Sequence, residues 1–285
     1  MVLGAGSWLG YLLLAQEGAA DMGETHLLGT VHHQRPEGLP GKVVLHQIEH
    51  RGEVGRLAEE YQPTVLVNFL RGEEAEDLAM HEELSAICRR QHAWYVLASS
   101  VLALDGYQGA ELTEDRPPRS SSPYGIFKGR CETHLARAGG DWLVLRFASV
   151  QGWVPHKPTR NEKFLRRLAA GEKVVVDLGI RQNRLAADLL VEALRQLVKD
   201  RVRGVVHLGT TDASDELDFL REEAAAFGWD PAQVVPGAPR HVNLDCRPER
   251  IFQLYGDRFR RREADTQTFL ARHPGLQRWH KPPST

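Results

Sequence analysis

Tyr124 and Lys128 stand four residues apart in Ser-Ser-Pro-Tyr-Gly-Ile-Phe-Lys, residues 121–128, a stretch that reads as the opening of a helix. Ser122 suits an N-cap and Pro123 the first helical position. The four-residue spacing sets the tyrosine and the lysine on one face. A free tyrosine ionises near pH 10 and is a poor acid or base at neutrality. A neighbouring ammonium favours the phenolate and brings the hydroxyl toward a working range. A second hydroxyl at the end of an adjacent strand, Ser100, could hold a carbonyl while Tyr124 delivers or removes a proton. Hydride transfer would then belong to a nicotinamide. Tyr-x-x-x-Lys alone is common on surface helices, so its weight comes from what precedes it in the chain.

What precedes it is a glycine-rich turn. Gly4-Ala5-Gly6-Ser7-Trp8-Leu9-Gly10 follows a very short apolar run and opens an apolar helical stretch. In that context the first glycine permits a tight turn, the next admits a pyrophosphate, and the last allows close helix–strand packing. The helix start offers free N–H groups and a positive dipole end. Gly4, Gly6, Ser7, Trp8, Leu9 and Gly10 are therefore the expected dinucleotide contacts, with Trp8 and Leu9 also suited to plain core packing. No Asp or Glu ends the second strand, where a carboxylate would chelate a ribose. His32, His33 and Arg35 stand there instead. A cation at this place accommodates a 2′-phosphate, so NADP(H) is expected over NAD(H).

The elements that must position these groups alternate. Apolar runs at 1–3, 26–31, 42–48, 64–68, 94–99, 142–147 and 205–208 read as strands. Helical periods at 8–17, 53–60, 73–91, 124–138 and 185–198 separate most of them. This order predicts an α/β protein with a Rossmann-type doubly wound parallel sheet. Residues 1–150 and 178–212 are expected to form its core. Residues 151–177 and 213–285 are expected to form a smaller substrate lobe, with helices at 216–227 and 248–256 and prolines between them. Ser99 and Ser100 end one core strand, and Asn68-Phe69-Leu70 follow another.

Composition narrows the function classes. With 36 basic and 38 acidic residues the net charge is −2, and no basic stripe recommends nucleic acid. The apolar run 8–15 has no basic residue before it, and no stretch reaches the roughly 20 apolar residues of a membrane span. The 3 cysteines are far apart, which fits a reducing cytoplasm better than a disulfide framework. The 13 histidines show no metal-ligand spacing, so no metal is expected. The arginines at 258 and 260–262 read as a solvated face.

The stretch from Ser99 to Glu132 carries a resemblance. Ser99-Ser100, Asp105-Gly106, Glu114-Asp115-Arg116-Pro117-Pro118 and Tyr124-Gly125…Lys128…Glu132 resemble the middle of dTDP-4-dehydrorhamnose reductases, which are extended short-chain dehydrogenase/reductases. Leu145-Arg146, Asp188-Leu189 and Arg247-Pro248 extend the likeness. It implies an NADP(H)-dependent reductase of a nucleotide-linked 4-keto-6-deoxysugar. Tyr124 would be the proton donor, Lys128 would bind the nicotinamide ribose, and Ser100 would orient the carbonyl. Ser99, Asn68, Phe69 and Leu70 would line the cofactor, and Ser100, Val101, Trp153 and Arg184 the substrate. The expected partner is a small molecule, with a homodimer as the candidate assembly. Departures stand at Ser7 for the middle glycine, at Val101 for an aspartate, and at Phe69-Leu70 for two small residues. Asp177-Leu178 and Asn183-Arg184 also differ from the family's later loop. They keep two other readings in view: a non-catalytic dinucleotide-binding regulator like the regulatory subunit of methionine adenosyltransferase, and a sugar-nucleotide epimerase or dehydratase.

Overall fold

Runs of branched apolar residues four to six long are too short for helices and too apolar for surface loops, so they pair with one another. The computed structural model describes residues 1–19, 26–32, 35–107 and 109–282. His33 lies outside them. The elements in chain order are β1 (Val2–Leu3), α1 (Trp8–Ala19), β2 (Leu27–Val31), β3 (Val43–Gln47), α2 (Gly52–Tyr61), β4 (Val65–Asn68) and α3 (Ala75–Arg90). Next come β5 (Trp94–Ala98), α4 (Pro123–Ala138), β6 (Trp142–Phe147), β7 (Ser149–Gln151), α5 (Arg160–Ala169), β8 (Val174–Gln182) and β9 (Arg184–Ala186). The chain closes with α6 (Ala187–Lys199), β10 (Gly204–Leu208), β11 (Ser214–Asp215), α7 (Glu216–Ala226), β12 (Val234–Leu244), α8 (Glu249–Tyr255) and α9 (Glu263–Arg272).

Among the described residues, seven strands form the central sheet in the order β10-β6-β5-β4-β1-β2-β3. The pairs from β3 across to β6 are parallel. This is the doubly wound α/β arrangement expected of the sequence. The chain runs outward from β1 to β3 and then crosses back to β4 on the other side of β1. The strand order therefore reverses between β1 and β4, and a crevice opens outside the carboxyl ends of those two strands. Gly4 and Phe69-Leu70 follow those ends. Leu3, Leu66, Leu84, Tyr95, Leu135 and Val144 belong to the core packed against this part of the sheet.

The chain divides into two compact units. The first comprises 1–106, 115–146 and 193–206, and the second 107–114, 147–192 and 207 onward. This division differs from the expected one, chiefly because β8 runs straight through position 178. β8 pairs with β12 in parallel and with β11 antiparallel, drawing 178–192 into the second unit. β12 contains Pro236 and Pro239, which the sequence offered as separators. As an edge strand it tolerates them, and its register shifts beside both. The second unit has its own core, including Phe164, Leu165, Phe219, Phe227 and Leu270. Among the described residues no helix is long and apolar enough to cross a membrane.

Candidate active site

The turn after β1 is built as its glycines require. Gly4 has φ of +80°, in the region that side chains avoid. A Cβ on Gly10 would stand 2.2 Å from the Gly4 carbonyl oxygen, so only glycine lets α1 begin this close to the turn. The Ser7 amide donates to Gly4 O at 2.8 Å, and the Ser7 hydroxyl accepts from Gly10 N at 3.1 Å. Ser7 thus caps the helix at the place where the resemblance implies a glycine. The amides of Trp8 and Leu9 have no acceptor among the described residues, and neither does the buried Trp8 Nε1. Leu70 Cδ2 packs 3.3 Å from where a Gly4 Cβ would stand, narrowing the mouth of the turn. His32 and Arg35, beyond β2, are exposed.

Lys128 is a deeply buried cation of the first unit, 2% exposed. Its ammonium donates to Ala98 O at 2.8 Å and to Leu70 O at 3.1 Å, at the carboxyl ends of β5 and β4. An ammonium has three N–H groups, so two are satisfied and one is left over. Burial, only partly offset by Cys131 and Glu132, pulls its pKa from 10.5 to about 8. The helix that carries it is capped as expected: Ser122 accepts from Gly125 N at 3.2 Å, with Pro123 in the first turn.

Tyr124 lies over this ammonium, its ring centroid 5.6 Å from Lys128 Nζ and 4.9 Å from Arg71 Cζ. Burial raises the phenol above its ordinary value, and the Arg71 guanidinium opposes this without overcoming it. The cation that pulls Tyr124 down is thus Arg71, a residue the sequence reading did not single out. Ser100 is buried, and its hydroxyl accepts from Leu102 N at 3.2 Å. That bond uses a lone pair and leaves the O–H free to donate.

Supporting residues are tightly paired. The Ser99 hydroxyl donates to Glu132, whose other bonds come from Arg146, with Nη2 to Oε2 at 2.6 Å. Arg146 and Glu132 are both buried, and the pair ties the end of β6 to α4. Asn68 donates from Nδ2 to Tyr95 OH at 2.8 Å and accepts from Leu70 N at 2.9 Å. His81 meets the same Tyr95 hydroxyl through Nδ1 at 2.8 Å and Cys131 O through Nε2 at 3.0 Å. Neither His81 nor Tyr95 belongs to any recognisable motif. Their only sequence signal is a polar group inside an apolar strand and on the buried side of a helix.

Gly4, Gly6, Ser7, Trp8, Leu9, Gly10, Asn68, Phe69, Leu70, Ser99, Ser100, Val101, Tyr124 and Lys128 all belong to the first unit. Val101 is fully buried in the helical turn 101–104. Trp153 and Arg184 belong to the second unit. Trp153 packs against Gly275 and His273. Arg184 is 1% exposed, with Nη2 on Glu216 at 2.7 Å and Nη1 on Glu263 at 2.9 Å. Its terminal nitrogens are therefore committed to carboxylates of its own unit. No cluster of three or more His, Cys, Asp or Glu suited to a metal occurs among the described residues.

Residues 1–250 match the RmlD substrate binding domain. The chain belongs to that family. Its solved structural relatives include a dTDP-4-dehydrorhamnose reductase from Clostridium acetobutylicum, 18% identical over 94% of this chain and 96% of that one, with a TM-score of 0.72. The dTDP-4-dehydrorhamnose reductase of Bacillus anthracis, solved in complex with NADP, is 14% identical over 94% and 96%, again at 0.72. The Bordetella bronchiseptica enzyme WbmG, solved with NAD and UDP, is 17% identical over 98% and 92%, at 0.78. These likenesses establish the fold. No curated protein matches the chain.

Proposed function

We propose that this member of the RmlD substrate-binding-domain family is an NADP(H)-dependent reductase of a carbonyl on a nucleotide-linked deoxysugar or a similar substrate. The broader reading, a sugar-nucleotide reductase or epimerase, follows from the family and from relatives that hold NADP, or NAD with UDP. The observation that carries the narrower one is the buried Lys128 ammonium with its spare N–H under the Tyr124 ring. Burying a lysine charge is costly, and a surface-helix coincidence would leave it in water.

The residues fit a nicotinamide dinucleotide at three places. The unpaired amides of Trp8 and Leu9, with the Gly4–Gly10 turn, suit the pyrophosphate. The spare Lys128 N–H suits a ribose hydroxyl, and Arg35 suits a 2′-phosphate. The group supplies a hydride when bound. Tyr124 supplies the proton: burial keeps the phenol neutral, and after transfer the Arg71 guanidinium favours the phenolate, with Lys128 under the ring. Ser100 donates to the carbonyl oxygen and orients it. NADP(H) stands above NAD(H) because a cation, not a carboxylate, follows β2. An epimerase would retain its dinucleotide through purification; a reductase releases it each cycle.

Tyr124→Phe tests the assignment. Turnover of a keto-deoxysugar nucleotide should fall by roughly 10²–10⁴-fold, with melting temperature and NADPH affinity unchanged. Full activity in that variant contradicts it.

A further inference from the structure

Three buried side chains outside the reacting groups close a ring with them. His81 on α3, Tyr95 on β5 and Asn68 on β4 are 1%, 1% and 4% exposed. The Cys131 carbonyl can only accept, so His81 Nε2 must carry the proton that reaches it at 3.0 Å. Burial holds His81 down to about 4, so the ring is neutral and Nδ1 is an acceptor. Tyr95 O–H therefore donates to Nδ1, and the same oxygen accepts from Asn68 Nδ2, both at 2.8 Å. That orientation of the amide leaves Asn68 Oδ1 to accept from Leu70 N at 2.9 Å. Leu70 O then receives Lys128 at 3.1 Å, and Lys128 stands one turn before Cys131 on α4. The path leaves α4 at Cys131, crosses α3, β5 and β4, and returns to α4 at Lys128. Each donor in it has one direction available.

We infer that His81 and Tyr95 are positioning residues for Lys128: through Asn68 they fix the Leu70 carbonyl, and so the place at which the ammonium meets the nicotinamide ribose and the Tyr124 phenol. The inference rests on the proposed role of Lys128. Without the ring, the Leu70 amide loses its acceptor, and the nearest backbone tie to the sheet is Phe69 N on Leu3 O at 3.2 Å. Tyr95→Phe removes one oxygen, strands Asn68 Nδ2 and His81 Nδ1, and leaves the aromatic packing in place. His81→Leu cuts the ring at the next link. His81→Gln keeps an amide that can donate to Cys131 O and accept from Tyr95.

The test uses the full chain labelled with [13Cε]lysine, with the Lys128 resonance assigned by its loss in Lys128→Arg. In the ligand-free wild type Lys128 should titrate near 8, and in Tyr95→Phe and His81→Leu the midpoint should rise toward the ordinary 10.5 as water reaches the ammonium. With NADPH and substrate, kcat should fall in both variants by roughly ten- to a hundredfold, the scale of a small misplacement of a catalytic group, at unchanged KM. His81→Gln should restore both readouts. An unmoved Lys128 midpoint and an unmoved kcat in either folded variant overturn the inference. If the midpoint moves but wild type binds no dinucleotide, the ring stands and the proposed activity falls. If the dinucleotide binds and the midpoint is unmoved, the positioning role falls and the activity stands. Should Tyr95→Phe not fold, the His81→Leu and His81→Gln pair decides alone.

Discussion

Burial acts on Lys128 and Glu223 in opposite directions, each time by disfavouring the charged form. For Lys128 the result is a cation that loses its charge near 8. Glu223, in the second unit, is fully buried, with Oε1 accepting from Asn161 Nδ2 at 2.9 Å and Oε2 unpartnered among the described residues. Its pKa rises from 4.5 to about 7, because burial outweighs Asn161, Arg160 and Arg184. Between those values the folded chain holds a proton that the unfolded chain does not. Its contribution to stability is therefore complete below about 4.5 and is lost as pH rises through about 7. The span corresponds to about 3 kcal/mol at 1.36 kcal/mol per unit. Glu223→Gln should flatten the decline in denaturant-derived stability over this range, and an undiminished slope in the variant contradicts the assignment. Tyr124, Lys128, Ser122 and Pro123 were legible in the sequence because cap, spacing and order agree. Glu223, His81 and Tyr95 were not, since their roles come from partners 62, 50 and 27 positions away.

At the scale of elements, the turn between β1 and α1 decides whether a pyrophosphate can approach. Gly10→Ala sets a methyl against the Gly4 carbonyl at 2.2 Å, and backbone has to move. It should cost about 1–3 kcal/mol of stability, the range for overpacking, and abolish dinucleotide binding. Gly52, at the start of α2, meets nothing within 4 Å and has ordinary backbone, so Gly52→Ala should be neutral or stabilising by about 0.4–1 kcal/mol. Paired melts of the two variants check this, and equal losses would mean that the turn is not close-packed. The first unit's strands and helices followed from apolar runs and periods, most of them ending within two residues of their expected bounds. β12 did not, because Pro236, Pro239 and a row of exposed residues hide a strand that β8 stabilises from one side.

For the molecule as a whole, the reversal of strand order between β1 and β4 sets the glycine turn beside Phe69-Leu70, with Lys128 resting on the Leu70 carbonyl. The alternation of strands with helices indicated the parallel sheet, but neither its strand order nor the Leu70 carbonyl under Lys128. The division into units was less legible, because a strand crossing position 178 leaves no mark in composition. Ser7 as a cap and Leu70 over Gly4 are the features that oppose cofactor entry, while the free amides of Trp8 and Leu9 and the spare Lys128 N–H favour it. A fluorescence titration of the purified protein with NADPH and NADH in parallel weighs these directly. Saturable micromolar binding, with NADPH clearly preferred, is the predicted result. Binding of neither dinucleotide would contradict the account, because it would mean that Ser7 and Leu70 have closed the turn.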